Sequence, residues 1–503
     1  MMKTPAFLKN IFSARFSYVF ILLLLMQACA TNPATNRMEL MLVSENKEFD
    51  IGKGVDKQVR EEMGVYLEKP ELRNLVKEIA ENIGGKSHRP DLIYRAEIVD
   101  TPDFNAFAVP GGFVYVHRGL LERMNSVDEV ASVMGHEIAH VAVRHSASQI
   151  SKMQLSKIGL LVASIATGGE LQNYGDLINI GSVLAFSKFS RDDEREADHF
   201  GIRYMTDAGY HPGASISVMK TIQGLHEEEP GALEVWFMTH PPTSERIETL
   251  TSELKVLESE DPELTKKEIM RNDFIRLLDG MAVGEYNGKE LAKGDRYYNK
   301  EFMLSIPIPA AWQAHINHKE YTAVFSDTRN KSYAIFNIEA LRTRISTSDY
   351  FNKIISSLKR QKLKQYYDSK NPEKLSHGAL SARFSGSGSQ GPVDVHVAAF
   401  VKDDRGYSIM KVSEGDSSKS NSNILGEMIN GLTFLSQSEA AKIEPPRMRI
   451  HKVKKGETWD SIIAMYYKKS DDKIKLAEFN GINAAEIPSP GVLLKIPPTL
   501  HIK

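Results

Sequence analysis

The chain has 503 residues, with 63 Lys and Arg against 65 Asp and Glu and a formal net charge of −2. That balance gives no basic field for nucleic acid, which is excluded from the expected partners. Hydrophobic content of 42% and charged content of 25% are those of a globular protein, and the length suits about three domains. The one cysteine, Cys29, leaves no partner for an intrachain disulfide and no thiolate set for zinc.

The N-terminus reads as an export signal. Lys3, Lys9 and Arg15 supply positive charge, and residues 18–26 form an apolar core too short to span a bilayer. The run ends at Met26-Gln27-Ala28-Cys29 and resembles a bacterial lipoprotein signal, with 1–28 removed and Cys29 lipidated. No aspartate follows Cys29, so the resemblance implies the periplasmic face of an outer membrane, with acyl chains buried in it. Residues 29–44 are expected to be a tether.

Residues 45–280 read as a mainly helical domain with one β element. An amphipathic helix is predicted over 71–83 and a strand over 94–99. Residues 104–110 and 113–117 read as two strands around a Pro-Gly-Gly turn. A helix is predicted over 126–145, with Ser126 and Glu129 suited to a capping box. It carries His136-Glu137-Ile138-Ala139-His140, an H-E-x-x-H motif. Positions i and i+4 share a helix face, so both imidazoles can grip one ion, and Glu137 can reach water on it. Apolar Val130, Val133, Met134, Ile138 and Val141 surround the motif, and buried polar groups need partners; a metal is the obvious one. This points to a zinc-dependent hydrolase. Residues 157–167 are apolar and helical in pattern, read as a core or lid helix.

A catalytic zinc needs a third protein ligand from another element. Residues 189–198 offer Glu194 and Asp198 at i and i+4, with Ala197 and Gly201 on the same side allowing close helix approach. Glu194 would then be the ligand, and Asp198 would accept the free ring N–H of a ligand histidine. Glu196 is an equal rival by spacing, because Phe200 and Tyr204 continue its stripe. Histidines His117 and His145 read as structural or surface groups, and His199 and His211 have no partner that can be named.

With those residues in view, 45–250 resembles the zinc metallopeptidase family of the CaaX prenyl proteases, HtpX and BepA, which joins H-E-x-x-H to E-x-x-x-D. The resemblance implies one zinc per chain on His136, His140 and Glu194, Asp198 behind them, and Glu137 as general base. Asn105-Ala106-Phe107-Ala108, before Pro110-Gly111-Gly112, matches the family's strand beside the cleft, where a polypeptide substrate would add as a further strand. No tandem helical-repeat extension like that of BepA is visible. His240-Pro241-Pro242-Thr243 is also family-like: His240 would either donate to the oxyanion or fill the open zinc position. Arg246 would pair with a substrate carboxylate or with an acid behind the metal; the alternative is a rigid turn with Thr243 capping a helix over 245–254.

Residues near 280–300 are polar and glycine-punctuated, a plausible boundary. Residues 300–437 then show a twice-repeated βββα order, read as an α+β domain with an antiparallel sheet, helices on one side and no chemical constellation. Residues 449–498 resemble a LysM module of βααβ order, carried by Val453, Gly456, Thr458, Trp459, Ile462, Leu476, Asn480-Gly481 and Leu494-Lys495-Ile496-Pro497. That resemblance implies peptidoglycan binding through 450–497. The expectation is therefore a lipid-anchored zinc endopeptidase of the bacterial envelope acting on misfolded or unassembled proteins. The alternative is a peptidoglycan-associated chaperone or assembly factor with a latent zinc site.

Overall fold

A computed structural model of the chain describes residues 29–155, 188–228, 233, 236, 240, 245–267, 269–316, 322–327, 332–360, 363–365, 372–388, 391–414, 423–467, 473–486 and 488–499. The expected signal peptide, the stretch 157–167, the loop 168–187 and Pro241, Pro242 and Thr243 lie outside them.

The helical part is built around Val127–Ala142, every residue of which is buried. Val130, Met134 and Ile138 are fully inaccessible, and each such side chain contributes about 1.5–3 kcal/mol on leaving water. Helices Pro70–Gly84, Arg191–Asp207 and Ala214–Glu228 pack on it. A three-stranded sheet lies alongside, with Phe113–His117 in the centre, parallel to Arg95–Val99 and antiparallel to Ala106–Val109. Ala106–Val109 is thus a margin strand. The turn before the central strand needs its glycines: Gly111 and Gly112 have φ of 83° and 88°. A Cβ there would lie 2.7 Å from the Phe49 Cα or 2.5 Å from the Ile93 carbonyl oxygen.

The expected tether is ordered structure. Cys29–Thr31 pairs antiparallel with Met38–Leu40, and the Asn32 Nδ2 donates to the Val143 carbonyl at 2.7 Å. Met41 and Val43 are buried against Ala147 and Ile150. The apolar spacing of Met41 and Val43 is too short to read as an element, yet enough to dock one.

The expected break near 280–300 is also paired backbone. Glu290–Lys293 and Arg296–Asn299 form a hairpin across Gly294, extended by Leu304–Pro307 and Thr433–Phe434 into a four-stranded sheet. Leu291 belongs to the same core as the motif helix, and Tyr297 to the core of the following domain. The two parts share a seam.

The larger sheet has eight antiparallel strands, centred on Gly391–Lys402 and Arg405–Glu414. Its two main helices lie on opposite faces, correcting the one-sided expectation. Val395, Val397 and Ala399 pack with helix Thr347–Arg360, whereas Ala398 and Phe400 pack with Ile424–Asn430. Alternate residues of a strand point to opposite faces, so both faces are covered.

The C-terminal part runs Arg449–Lys452, Trp459–Tyr466, Lys473–Phe479, Leu493–Ile496, with the two strands paired antiparallel. It is docked on the helical part. Lys495 is fully buried, and its Nζ donates to the Glu122 and Met124 carbonyls at 2.9 and 2.8 Å. Those oxygens lie at the C-terminal end of helix Arg118–Arg123, where carbonyls are left without partners within the helix. Met448, Phe479 and Leu493 complete the same core as the motif helix.

Candidate metal centre

The motif helix starts at Ser126, whose Oγ accepts from the Glu129 N–H at 3.1 Å. Glu129 reaches back to the Asn125 N–H at 2.7 Å, one residue earlier than the expected capping box. One turn apart on this helix, His136 and His140 bring their Nε2 atoms to 3.1 Å. Helix Arg191–Asp207 crosses the motif helix backbone to backbone at Gly135 and Gly201. A Cβ on Gly201 would stand 2.9 Å from the His136 Cα. This contact carries Glu194 inward, with Oε2 3.6 Å from His136 Nε2 and Oε1 3.6 Å from His140 Nε2. Glu196 faces away from the metal position, where its Oε1 accepts from Arg37 Nη1 at 3.0 Å. Of the two rival acids, Glu194 is the one that converges.

His240 enters the same cluster. Its Nδ1 lies 3.0 Å from Glu194 Oε1, and its Nε2 3.4 Å from Glu137 Oε1. The ring packs beside Trp236, with centroids 4.8 Å apart. One ligand atom each from His136, His140, Glu194 and His240 fit within 4.8 Å of one another. Bonds of about 2.1 Å in a tetrahedron set ligand atoms about 3.4 Å apart, close to these spacings. His240 Nε2 and Glu137 Oε1 are buried without hydrogen bonds among the described residues. Two such atoms beside two converging imidazoles and a carboxylate are what a cation and its water would satisfy.

The electrostatics separate the two glutamates. Burial pushes Glu137 above the usual carboxylate range, opposed by the nearby histidines and by the Ala108 backbone amide. Burial also raises Glu194, but His240, His136 and Arg246 outweigh it and hold that carboxyl low. A retained negative charge suits a ligand, and a raised carboxyl suits a proton carrier.

Residues 66–254 match the family described as peptidase family M48. Every group named above that faces the metal position lies within that span. Over that span the chain belongs to peptidase family M48. It is 30% identical over 220 residues to mitochondrial metalloendopeptidase OMA1 of Schizosaccharomyces pombe, covering 43% of this chain and 63% of that one. It is 30% identical over 179 residues to metalloprotease YcaL of Escherichia coli, covering 35% and 66%. The beta-barrel assembly-enhancing protease of Yersinia pestis is 29% identical over 161 residues, covering 30% and 32%. The chain spans under two thirds of the length of these relatives.

Behind the M48 cluster lies a buried support. His136 Nδ1 is 3.0 Å from Asp198 Oδ1, so that nitrogen carries the proton and Nε2 is free to face the metal position. Arg246 grips Asp198 with two bonds, Nε to Oδ2 at 2.8 Å and Nη2 to Oδ1 at 2.7 Å. Its Nη1 lies 3.0 Å from Glu194 Oε2. Arg246, grouped with the catalytic residues from sequence, thus pairs with the buried acids, the second of the two partners expected of it. It is too enclosed to meet a substrate carboxylate. Burial opposes the Asp198 charge, but Arg246 and His136 hold its carboxyl far below the usual range.

On the other side of Glu137 runs the margin strand. Ala106, Phe107 and Ala108 are buried, and Asn105 precedes them with its Oδ1 unbonded among the described residues. Of the remaining histidines, His199 Nδ1 lies 2.7 Å from Glu253, and the His211 N–H donates to Asp128 at 2.8 Å. His145, read as structural or surface, is buried 2.9 Å from His140. Gly135 and Trp236, which the sequence reading passed over, also stand beside the cluster. A glycine inside a helix, immediately before the first ligand, was the available signal.

His117 is structural, as expected of it, and makes a pH prediction. It is fully buried edge-on to Phe107, and burial lowers its pKa to about 4 from 6.5, against a weaker pull from Asp103. Above pH 6.5 the ring is neutral in both states, and its contribution to stability is level. As pH falls through 6.5 the unfolded chain takes up a proton that the folded chain refuses until about 4. Stability is lost over that window, by about 3 kcal/mol in full. Chelator-treated His117→Asn should show a correspondingly flatter profile in denaturant unfolding; parallel profiles would contradict this.

Proposed function

We propose that this chain is a zinc-dependent endopeptidase of the bacterial cell envelope. The reading is carried by one observation: His136, His140 and Glu194 converge from separate helices beside the unbonded Oε1 of Glu137. Zinc bound there would polarise the scissile carbonyl and make its water acidic enough to ionise near neutral pH. Glu137 would be the group that accepts a proton there and returns it to the leaving amine, a role suited by its raised carboxyl. Asp198 and Arg246 fix the His136 ring, and Ala106–Val109 offers backbone groups at a sheet margin for an extended polypeptide. Pairing through main chain gives binding with little sequence preference, which suits misfolded or unassembled envelope proteins.

The assignment to the envelope rests on the lipoprotein-like residues up to Cys29 and on the βααβ order of the C-terminal part, which supports a LysM reading and peptidoglycan as its ligand. Among the described residues no helix is long and apolar enough to cross a membrane; the assignment of anchoring to acyl chains at Cys29 rests on the lipoprotein-like residues before it. The three proposed units are 45–280 for hydrolysis, 300–437 for interaction or spacing, and 449–498 for glycan.

A second reading, a latent site in a chaperone or assembly factor, is favoured by His240. It is 1% exposed and fills the fourth position of the cluster against Glu137. Zinc-loaded protein incubated with casein decides between them. Chelator-sensitive cleavage by the wild type supports the protease. Cleavage by His240→Ala alone supports the latent form. Cleavage by neither rejects hydrolysis.

A further inference from the structure

The two ligand histidines are each backed by a hydrogen-bonded chain, and only one of those chains follows the E-x-x-x-D spacing. Behind His136 stand Asp198 and Arg246. Behind His140 stand His145, Glu196 and Arg37. His140 Nε2 faces the cluster, so its Nδ1–H donates to His145 Nδ1 at 2.9 Å. His145 Nδ1 must then accept, which leaves its Nε2–H to donate to Glu196 Oε2 at 3.3 Å. Asp193 Oδ1 is 3.9 Å from the same nitrogen. Arg37 Nη1 closes the chain on Glu196 Oε1 at 3.0 Å. Every proton in this series has one consistent place.

The backbone is bent to make it. The motif helix ends at Ala142 with Val143 as its cap, and Arg144 adopts φ of 64°. That left-handed turn is seldom adopted by a residue other than glycine, and it folds His145 back beneath His140. Arg144 is held there by Glu48 Oε1 at 2.6 Å and by the Val43 carbonyl at 2.8 Å. Phe189 stacks on the His140 ring at 4.0 Å and shields the pair.

We propose that His145, held by Glu196, is the positioning residue that sets the tautomer and direction of His140 toward the metal. Through Arg37 the N-terminal hairpin becomes part of that support. The inference deepens the zinc-site reading and rests on it. Its test is zinc affinity by chelator competition, read without any substrate. His145→Leu removes the acceptor at similar volume, whereas His145→Asn places Oδ1 where Nδ1 stood. Loss of such an outer partner weakens metal binding by about 10- to 100-fold. The leucine variant should fall in that range and the asparagine variant should stay within about threefold of wild type. Equal affinity in wild type and His145→Leu overturns the proposal, and so does an equal loss in both variants, which marks mere packing. Should His145→Leu not fold, Glu196→Ala carries the test: about tenfold weakening supports the relay, and affinity within about threefold of wild type overturns it. A wild type that binds no zinc would instead reject the site itself.

Discussion

Glu137→Gln is expected to keep the fold and the zinc content while lowering kcat/KM for peptide hydrolysis by about 10³-fold. The side chain is 1% exposed and lies outside the converging donor set. Glutamine fills the same volume and can still accept from the Ala108 amide. What it cannot do is hold a proton between water and the leaving amine. Zinc stoichiometry and thermal unfolding matching the wild type would show that chemistry alone was removed. Proteolysis at the wild-type rate would reject Glu137 as the general base.

Arg246→Met has the largest expected effect on stability. Arg246 makes two bonds to Asp198 and approaches Glu194, and all three side chains are at most 5% exposed. Removing the cation strands two carboxylates out of water, and breaking a buried ion pair by one partner costs about 3–5 kcal/mol. Denaturant unfolding of the metal-free protein should show that loss. The double variant Arg246→Met/Asp198→Asn should recover part of it, since only one acid then lacks a partner. A loss under about 1 kcal/mol, or no recovery in the double variant, would mean that Arg246 is not what holds Asp198. Zinc should also bind more weakly in the single variant, because the His136 ring loses its fixed acceptor.

The metal-binding helix was legible because H-E-x-x-H and its apolar surroundings lie within one helix, where spacing fixes direction. The choice between Glu194 and Glu196 was not, because it depends on how two helices cross. Gly135 meeting Gly201 decides it, and neither glycine announces its partner. The place of His145 beside His140 was not legible, for a local reason. Five residues beyond His140 is the wrong face of a continuing helix, and nothing in Val143-Arg144 signals a left-handed turn, since arginine seldom occupies one. In the sheet domain the longer strands and the two helices were readable, but not the strand Gln313–Ile316, which breaks the βββα order, nor the sides the helices take. The run Val395-His396-Val397-Ala398-Ala399-Phe400 is apolar at both parities, which is the mark of a strand covered twice. The hairpin at 290–299 was hidden by its charged, glycine-bearing turn.

The Lys495 seam has a practical outcome. Cutting the chain after Pro446 would strip a cap from helix Arg118–Arg123, the element just ahead of the motif helix, and open the space filled by Met448, Phe479 and Leu493. A hydrolase fragment trimmed there would be wounded in its own interior. The C-terminal part is thus bolted to the cleft-bearing part at a set angle, and the two move as one body.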